Sequence, residues 1–309
     1  MTPDSTSTYY MNELLKDHKQ QRRATYFKYS LLGFVAVLYA VALTAGISRG
    51  GATPDGDYAA LVRISGEIGP GKDASAAVVN PLLERAFADK KAKGVVLLIN
   101  SPGGTPVQSS LIHDRIAALK KQHNKKVIAV GEDMMTSGAY MIAVAADELV
   151  VNRSTLTGSI GVISRSFGFT GLMDKVGVER RVMTAGESKN MLDPFGPQTE
   201  QDRVKTAGLL KSIHQHFKDT VADGRGARLK LDTPGLFSGT VWTGEDAVTA
   251  GLVDKLGDIK SAGKENFGTD KFVEFSPSKS FLDMAMGALG TKVMQELAPR
   301  IETPLALPN

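Results

Sequence analysis

Apolar positions recur along the chain in two alternating periods. Tyr58 to Ile68 reads as a strand, closed by Gly69-Pro70-Gly71. Ala76 to Ala92 carries Val79, Leu82, Leu83, Ala86 and Phe87 at helical spacing. Val95 to Ile99 is a continuous β-branched run, the pattern of a strand covered on both faces. Pro106 to Gln122 places Ile112, Ile116 and Leu119 on one helical face. Val127 to Val130 predicts the next strand, ending at Gly131. The small, apolar run from Asp133 to Ala146 predicts a buried helix, with Ser137 at its junction with the strand. This alternation predicts right-handed βαβ units in an α/β fold, with functional loops at the carboxyl ends of parallel strands. Further on, strands are expected at Glu148–Asn152, Ile160–Ile163, Arg180–Thr184 and Phe272–Phe275. Helices are expected at Thr170–Val176, Glu200–Ala222 and after Gly244. Ser280 to Leu297 has one apolar helical face, which reads as core or subunit packing.

One stretch is apolar all round. Tyr29 to Ile47 has no charged residue and is long enough to span a bilayer. Lys16, Lys19, Arg22, Arg23 and Lys28 precede it, and only Arg49 follows before Arg63. The positive-inside rule then predicts a single-pass anchor in the inner membrane, held in lipid by this helix. The N-terminus would be cytoplasmic and the large domain periplasmic or extracellular. A signal peptide cleaved near Ala45 is the rival reading. The expected organisation is a cytoplasmic segment at 1–28, an anchor at 29–47, a polar linker at 48–57, a folded domain at 58–276 and a C-terminal helix and tail at 277–309.

Composition narrows the function. The formal net charge is +4, and no long basic run is interleaved with aromatics, which argues against nucleic acid as a partner. There is no cysteine, so a disulfide framework, a thiol nucleophile and a cysteine zinc site are excluded. No His-Glu-x-x-His spacing occurs, and no Gly-Lys-Ser/Thr follows Gly103-Gly104. Neither a metal nor a cofactor is expected.

The remaining chemistry is nucleophilic. A serine at a strand-to-helix turn can present its hydroxyl beside free helix N–H groups, as Ser137 would between Thr136 and Gly138. The plain alternative is an N-cap serine. A serine nucleophile needs a base. His18 precedes the apolar stretch, and His113, His123, His214 and His216 lie on helices as structural residues. A desolvated lysine can serve instead, and Lys175 and Lys189 are the candidates. Gly103-Gly104 suits a second oxyanion donor or an edge that pairs with an extended peptide. Thr157-Gly158-Ser159 could supply a hydroxyl that orients a lysine.

Five stretches in order carry a resemblance: V-V-L-L-I-N-S-P-G-G at 95–104, M-T-S-G-A-Y at 135–140, L-T-G-S-I-G-V-I at 156–163, the Lys189 loop, and V-W-T-G-E-D-A-V-T-A-G-L-V-D-K-L-G at 241–257. Together they resemble the bacterial signal peptide peptidase A family, also called protease IV, with its SohB-like members. The resemblance implies a crotonase- and Clp-protease-like α/β superhelix behind an N-terminal transmembrane helix. It implies a nucleophile at Ser137, a general base at Lys189 and a supporting hydroxyl at Ser159. The oxyanion hole would be formed by Gly138 with Gly104 or Gly103. It also implies a homo-oligomer that cleaves peptides, typically spent signal peptides. Glu187 departs from what such a site wants, because a nearby carboxylate would favour the charged lysine. A Clp-type triad is disfavoured, since no histidine lies between His123 and His214. A silent membrane scaffold and a crotonase-like acyl-CoA enzyme are the other classes this sequence admits.

Overall fold

The computed structural model describes Arg22, residues 25–37 and residues 56–277. Residues 25–37 are helical, with Tyr26, Phe27, Leu32 and Phe34 exposed. No helix among the described residues is long and apolar enough to cross a membrane. The expected anchor runs on past residue 37, so most of it lies outside the described residues, as does the helix expected at Ser280–Leu297.

Residues 56–277 build one mixed sheet. Its strands are β1 (Tyr58–Ser65), β2 (Ala92–Ser101), β3 (Val127–Thr136), β4 (Glu148–Val151), β5 (Leu156–Gly158), β6 (Val241–Thr243), β7 (Lys255–Leu256) and β8 (Phe272–Glu274). The order is β6-β5-β3-β2-β1-β8, with β4 also paired to β3 and β7 to β4. Every pairing is parallel except β5 with β6. The helices are α1 (Ala76–Ala88), α2 (Pro106–His123), α3 (Gly138–Ala143), α4 (Thr170–Lys175), α5 (Glu200–Arg225), α6 (Gly244–Thr249) and α7 (Ile259–Phe267).

Side-chain alternation sorts the strands onto two faces. Ala60, Val62, Ile64, Val95, Leu97, Ile99, Val127 and Ala129 face the larger core, covered by α1, α2 and α3. Ala59, Leu61, Val96, Leu98, Ile128, Val130 and Val150 face a smaller one with Ala262 of α7. Both faces are therefore buried, as the unbroken apolar runs predict.

β3 departs from the expected pattern, and the departure positions Ser137. It runs past Gly131 to Thr136 and changes partner on the way. Its first half pairs with β4 and its last three residues pair with β5. Between Ile99↔Gly131 and Ser101↔Met135 its ladder with β2 slips, so Glu132, Asp133 and Met134 bulge. Asn100 Nδ2 holds the bulge through Asp133 Oδ2 at 3.1 Å. Polar Glu132 and Asp133 disguise the second half of the strand in sequence. The helix after it spans only Gly138–Ala143, shorter than the apolar run suggests.

The strands expected at Ile160–Ile163 and Arg180–Thr184 do not form. Ser159 has φ 53°, which ends β5. Residues 180–184 lie in an exposed segment instead, where Arg180 Nε meets Asp193 at 2.9 Å and its guanidinium lies over the Phe195 ring.

Candidate active site

Ser137 stands between β3 and α3 with φ 53° and ψ −123°. That is the mirror image of a type II turn position and is disfavoured for any residue with a Cβ. An N-cap serine has extended backbone and a side chain bonded to the helix N–H groups. Ser137 has neither, for its hydroxyl makes no capping bond. The plain reading of Ser137 as a cap therefore fails. Its own N–H donates to Gly158 O at 2.8 Å, which ties the turn to the end of β5.

The Gly103-Gly104 loop presses against this turn. A Cβ on Gly103 would lie 2.7 Å from both Gly138 N and Ser137 Cβ, and the residue has φ +95°. A Cβ on Gly104 would lie 1.8 Å from Ile68 O. The reason is a backbone bridge in which Ile68 N–H donates to Gly103 O and Thr105 N–H to Ile68 O. A Cβ on Gly138 would fall 2.2 Å from Ser109 Oγ and 3.3 Å from Gly104 N. Glycine at 103 and 104 is thus required by backbone contacts, whereas a side chain at 138 would need the Ser109 side chain to move.

The N–H groups separate the two candidate donors on this loop. Gly103 N–H is used by Ser101 Oγ at 3.1 Å. The N–H groups of Gly104 and Gly138 have no hydrogen-bond partner among the described residues. Two free N–H groups beside a serine hydroxyl can stabilise an oxyanion formed when that hydroxyl adds to a carbonyl.

A cavity of about 110 Å³ opens at Ser137. Gly104 and Gly138 line one side, and Met141, Val162, Ile163, Ile213 and Phe217 supply an apolar wall. Ile213 and Phe217 come from α5, whose C-terminal end is firmly fixed. Arg225, 1 % exposed, makes a paired contact with Asp254 at 2.8 and 2.9 Å and donates to Gly251 O. Burial pushes the Asp254 carboxyl up, but Arg225, the Leu149 N–H and Arg228 outweigh it and hold it below its ordinary value. Tyr140 of α3 donates to Leu252 O at 2.6 Å, and burial pushes its phenol above the usual range. Sequence reasoning did not find this α3–α5–Asp254 frame, because an arginine near a helix end looks solvated until its partner is known.

Ser137, Gly103, Gly104 and Gly138 thus lie together, with the Gly103 N–H already bonded to Ser101 Oγ. Ser159 lies next to Gly158, half-buried, with its N–H on Thr240 O at 2.8 Å. Trp242 of β6 packs on the same Gly158, where a Cβ would meet its Cδ1 at 2.5 Å. Lys189 does not line the cavity; it sits exposed in a turn closed by its N–H on Gly186 O. Glu187 is exposed and makes no ion pair with Lys189 among the described residues. Lys175, also exposed, ends α4. Apart from Ser137 itself, the lining residues carry no group able to take a proton. Among the described residues no group of three or more histidine, aspartate or glutamate side chains could hold a metal ion.

Residues 119–267 match the family described as Peptidase family S49. A protein of Brucella abortus named Na(+)/H(+) antiporter NhaA is 47% identical over 210 residues, covering 68% of this chain and 28% of that one. Protease 4 of Haemophilus influenzae is 31% identical over 209 residues, covering 66% of this chain and 33% of that one. A Synechocystis protein named "Putative protease slr0021" is 31% identical over 203 residues, covering 66% of this chain and 71% of that one. The match thus spans about a third or less of the first two proteins, and most of the third. The motifs around Ser137, the mixed parallel sheet that presents it and these likenesses agree: the chain belongs to peptidase family S49.

Proposed function

We infer that the protein is a serine peptidase with Ser137 as its nucleophile. The observation that carries this reading is the backbone of Ser137. A serine held in a disfavoured conformation, with a hydroxyl and two neighbouring N–H groups that have no hydrogen-bond partner among the described residues, is over-determined by its surroundings for something other than stability. In the reaction Ser137 Oγ bonds to the scissile carbonyl carbon and its proton passes to a base. The carbonyl oxygen takes the charge facing Gly104 and Gly138 N–H. Collapse of this adduct breaks the C–N bond, and the departing amine takes the proton. Water then adds to the acyl-serine through the same base and the same hole.

The base in this reading is Lys189. It lies in the exposed stretch 161–199, which carries Ile163, Phe167, Leu172 and Met183 in solvent, the last 99 % exposed. An exposed apolar segment of this size is a surface for a partner. The reading makes a second copy of the chain that partner, and packing against it brings Lys189 to a serine and desolvates its amine. Substrates are extended peptides whose side chain enters the cavity at Ser137, with spent signal peptides as the natural class. The apolar stretch 29–47 anchors the enzyme in the inner membrane with this domain outside. A silent scaffold is the second reading, favoured by the lack of a proton acceptor at the cavity.

The deciding experiment combines fluorophosphonate labelling with peptide turnover in wild type, Ser137→Ala and Lys189→Ala. Loss of both signals in both variants supports the dyad. Labelling that survives Lys189→Ala moves the base elsewhere, and a folded wild type without either signal favours the scaffold.

A further inference from the structure

The cavity at Ser137 has two walls that belong to different parts of the fold. One is the loop after β5, through Gly161, Val162 and Ile163; the other is α5, through Ile213 and Phe217. A side-chain hydrogen bond joins them. His214, beside Ile213, reaches Ile160 O with Nε2 at 3.2 Å. Ile160 is buried and directly precedes the three loop residues that line the cavity. Its carbonyl also accepts Gly239 N–H at 3.1 Å, so the loop is held from both sides. A carbonyl only accepts, so Nε2 of His214 carries the hydrogen. His216 makes a separate contact, with Ser110 Oγ of α2 at 3.0 Å, and fixes α5 on its other side.

The geometry points to His214 as a positioning residue that sets the width of the cavity and thereby the size of substrate side chain accepted. This rests on the peptidase reading above and deepens it. His214 does not line the cavity, so it acts through the loop. Without it, Ile160 O keeps the Gly239 N–H, so the fold persists while the loop is free to retreat from α5. The cavity of about 110 Å³ is small enough for such a retreat to matter.

The test compares purified wild type, His214→Ala and His214→Gln on peptides that differ only in the residue before the scissile bond: alanine, valine, leucine or phenylalanine. Wild type is expected to favour a medium aliphatic side chain over phenylalanine. His214→Ala is expected to narrow that preference roughly fivefold to tenfold, about 1–1.4 kcal/mol, the contribution of one hydrogen bond. The change should appear in KM for the disfavoured peptide, with kcat on the best substrate nearly kept. His214→Gln, which can still donate to Ile160 O, should restore the preference. If the alanine variant does not fold, His214→Asn, too short to reach the carbonyl, replaces it with the same expectation. An unchanged preference overturns the inference. So does a kcat that falls equally on all peptides, or a glutamine variant as permissive as alanine. A folded wild type that turns over none of the peptides overturns the peptidase reading itself, and this inference with it.

Discussion

Replacing Ser137 with glycine should stabilise the protein while abolishing its activity. At φ 53° and ψ −123° a residue with a Cβ costs about 1–3 kcal/mol. Glycine removes that cost but adds conformational entropy to the unfolded chain, about 0.5–1 kcal/mol. With both at mid-range the net gain is about 1.25 kcal/mol. For a domain of this size, 1 kcal/mol moves Tm by about 2–4 °C, so the expected rise is roughly 2.5–5 °C. Ser137→Ala is the control. It removes the hydroxyl but keeps the Cβ and therefore the strain. Its Tm should stay near that of wild type, because no hydrogen bond caps the helix through this hydroxyl. Scanning calorimetry on the three proteins reads the difference, and peptide turnover shows that both variants are inactive. A glycine variant no more stable than the alanine variant would refute the claim that strain is stored at this turn.

Gly104→Ala should reduce kcat by about 100-fold or more, since its Cβ would sit 1.8 Å from Ile68 O and displace the N–H offered to the oxyanion; steady-state kinetics on protein shown folded by circular dichroism checks it. Asp254→Asn leaves the buried Arg225 without its charge partner and should cost about 3–5 kcal/mol in a denaturant titration. The Asp254 carboxyl is held below its ordinary value in the fold, so its contribution is complete above the unfolded value of about 3.9 and is lost as pH falls through the lower folded value. Acid melts of Asp254→Asn should accordingly lack that part of the wild-type pH dependence. If Lys189 acts on the serine of a neighbouring copy, mixing Ser137→Ala with Lys189→Ala chains under conditions that exchange subunits should restore part of the turnover that each lacks alone. A mixture as inactive as its parts would place the lysine on its own chain's serine or outside the reaction.

The central fold was legible because its strands are buried on both faces. Runs such as Val95–Ile99 leave little choice of structure, and the glycines at 103, 104 and 138 announce close backbone approach before any contact is known. What the sequence hid was the partner exchange along β3. The pattern ends the strand at Gly131 and starts a helical run at Asp133, yet Glu132 and Asp133 mark a bulge that carries the strand on to Thr136. The same limit applies to Ile160–Ile163, whose apolar pattern suits a strand. Ser159 has already taken a positive φ there, and the next carbonyl bonds to Gly239 and His214. His214 reads as an ordinary helix residue and Arg225 lies beyond the helix expected at Glu200–Ala222, because pairing across the fold depends on separations of 54 and 29 residues that local pattern cannot register.

The stretch at 241–257 shows how the turn at Ser137 can be strained without yielding. Trp242 packs on Gly158, whose carbonyl holds Ser137 N–H. Thr243 caps α6 through Asp246 N–H, and Gly244 lies against Asn152 O, where a Cβ would come within 2.0 Å. Asp254 then locks Arg225 at the end of the helix that supplies Ile213 and Phe217. One continuous segment therefore braces both the strained serine and the wall opposite it. A conformation that costs about 1–3 kcal/mol persists only when neighbours fix it from several directions, and here they do so through buried contacts formed within residues 56–277. Lys189 has no such support, for it stands in an exposed segment with its apolar side chains in water. The surroundings that fix Ser137 are thus all found within residues 56–277. In the proposed reading Lys189 needs burial that the described residues do not give it, and assembly would be the step that turns the strained serine into a nucleophile.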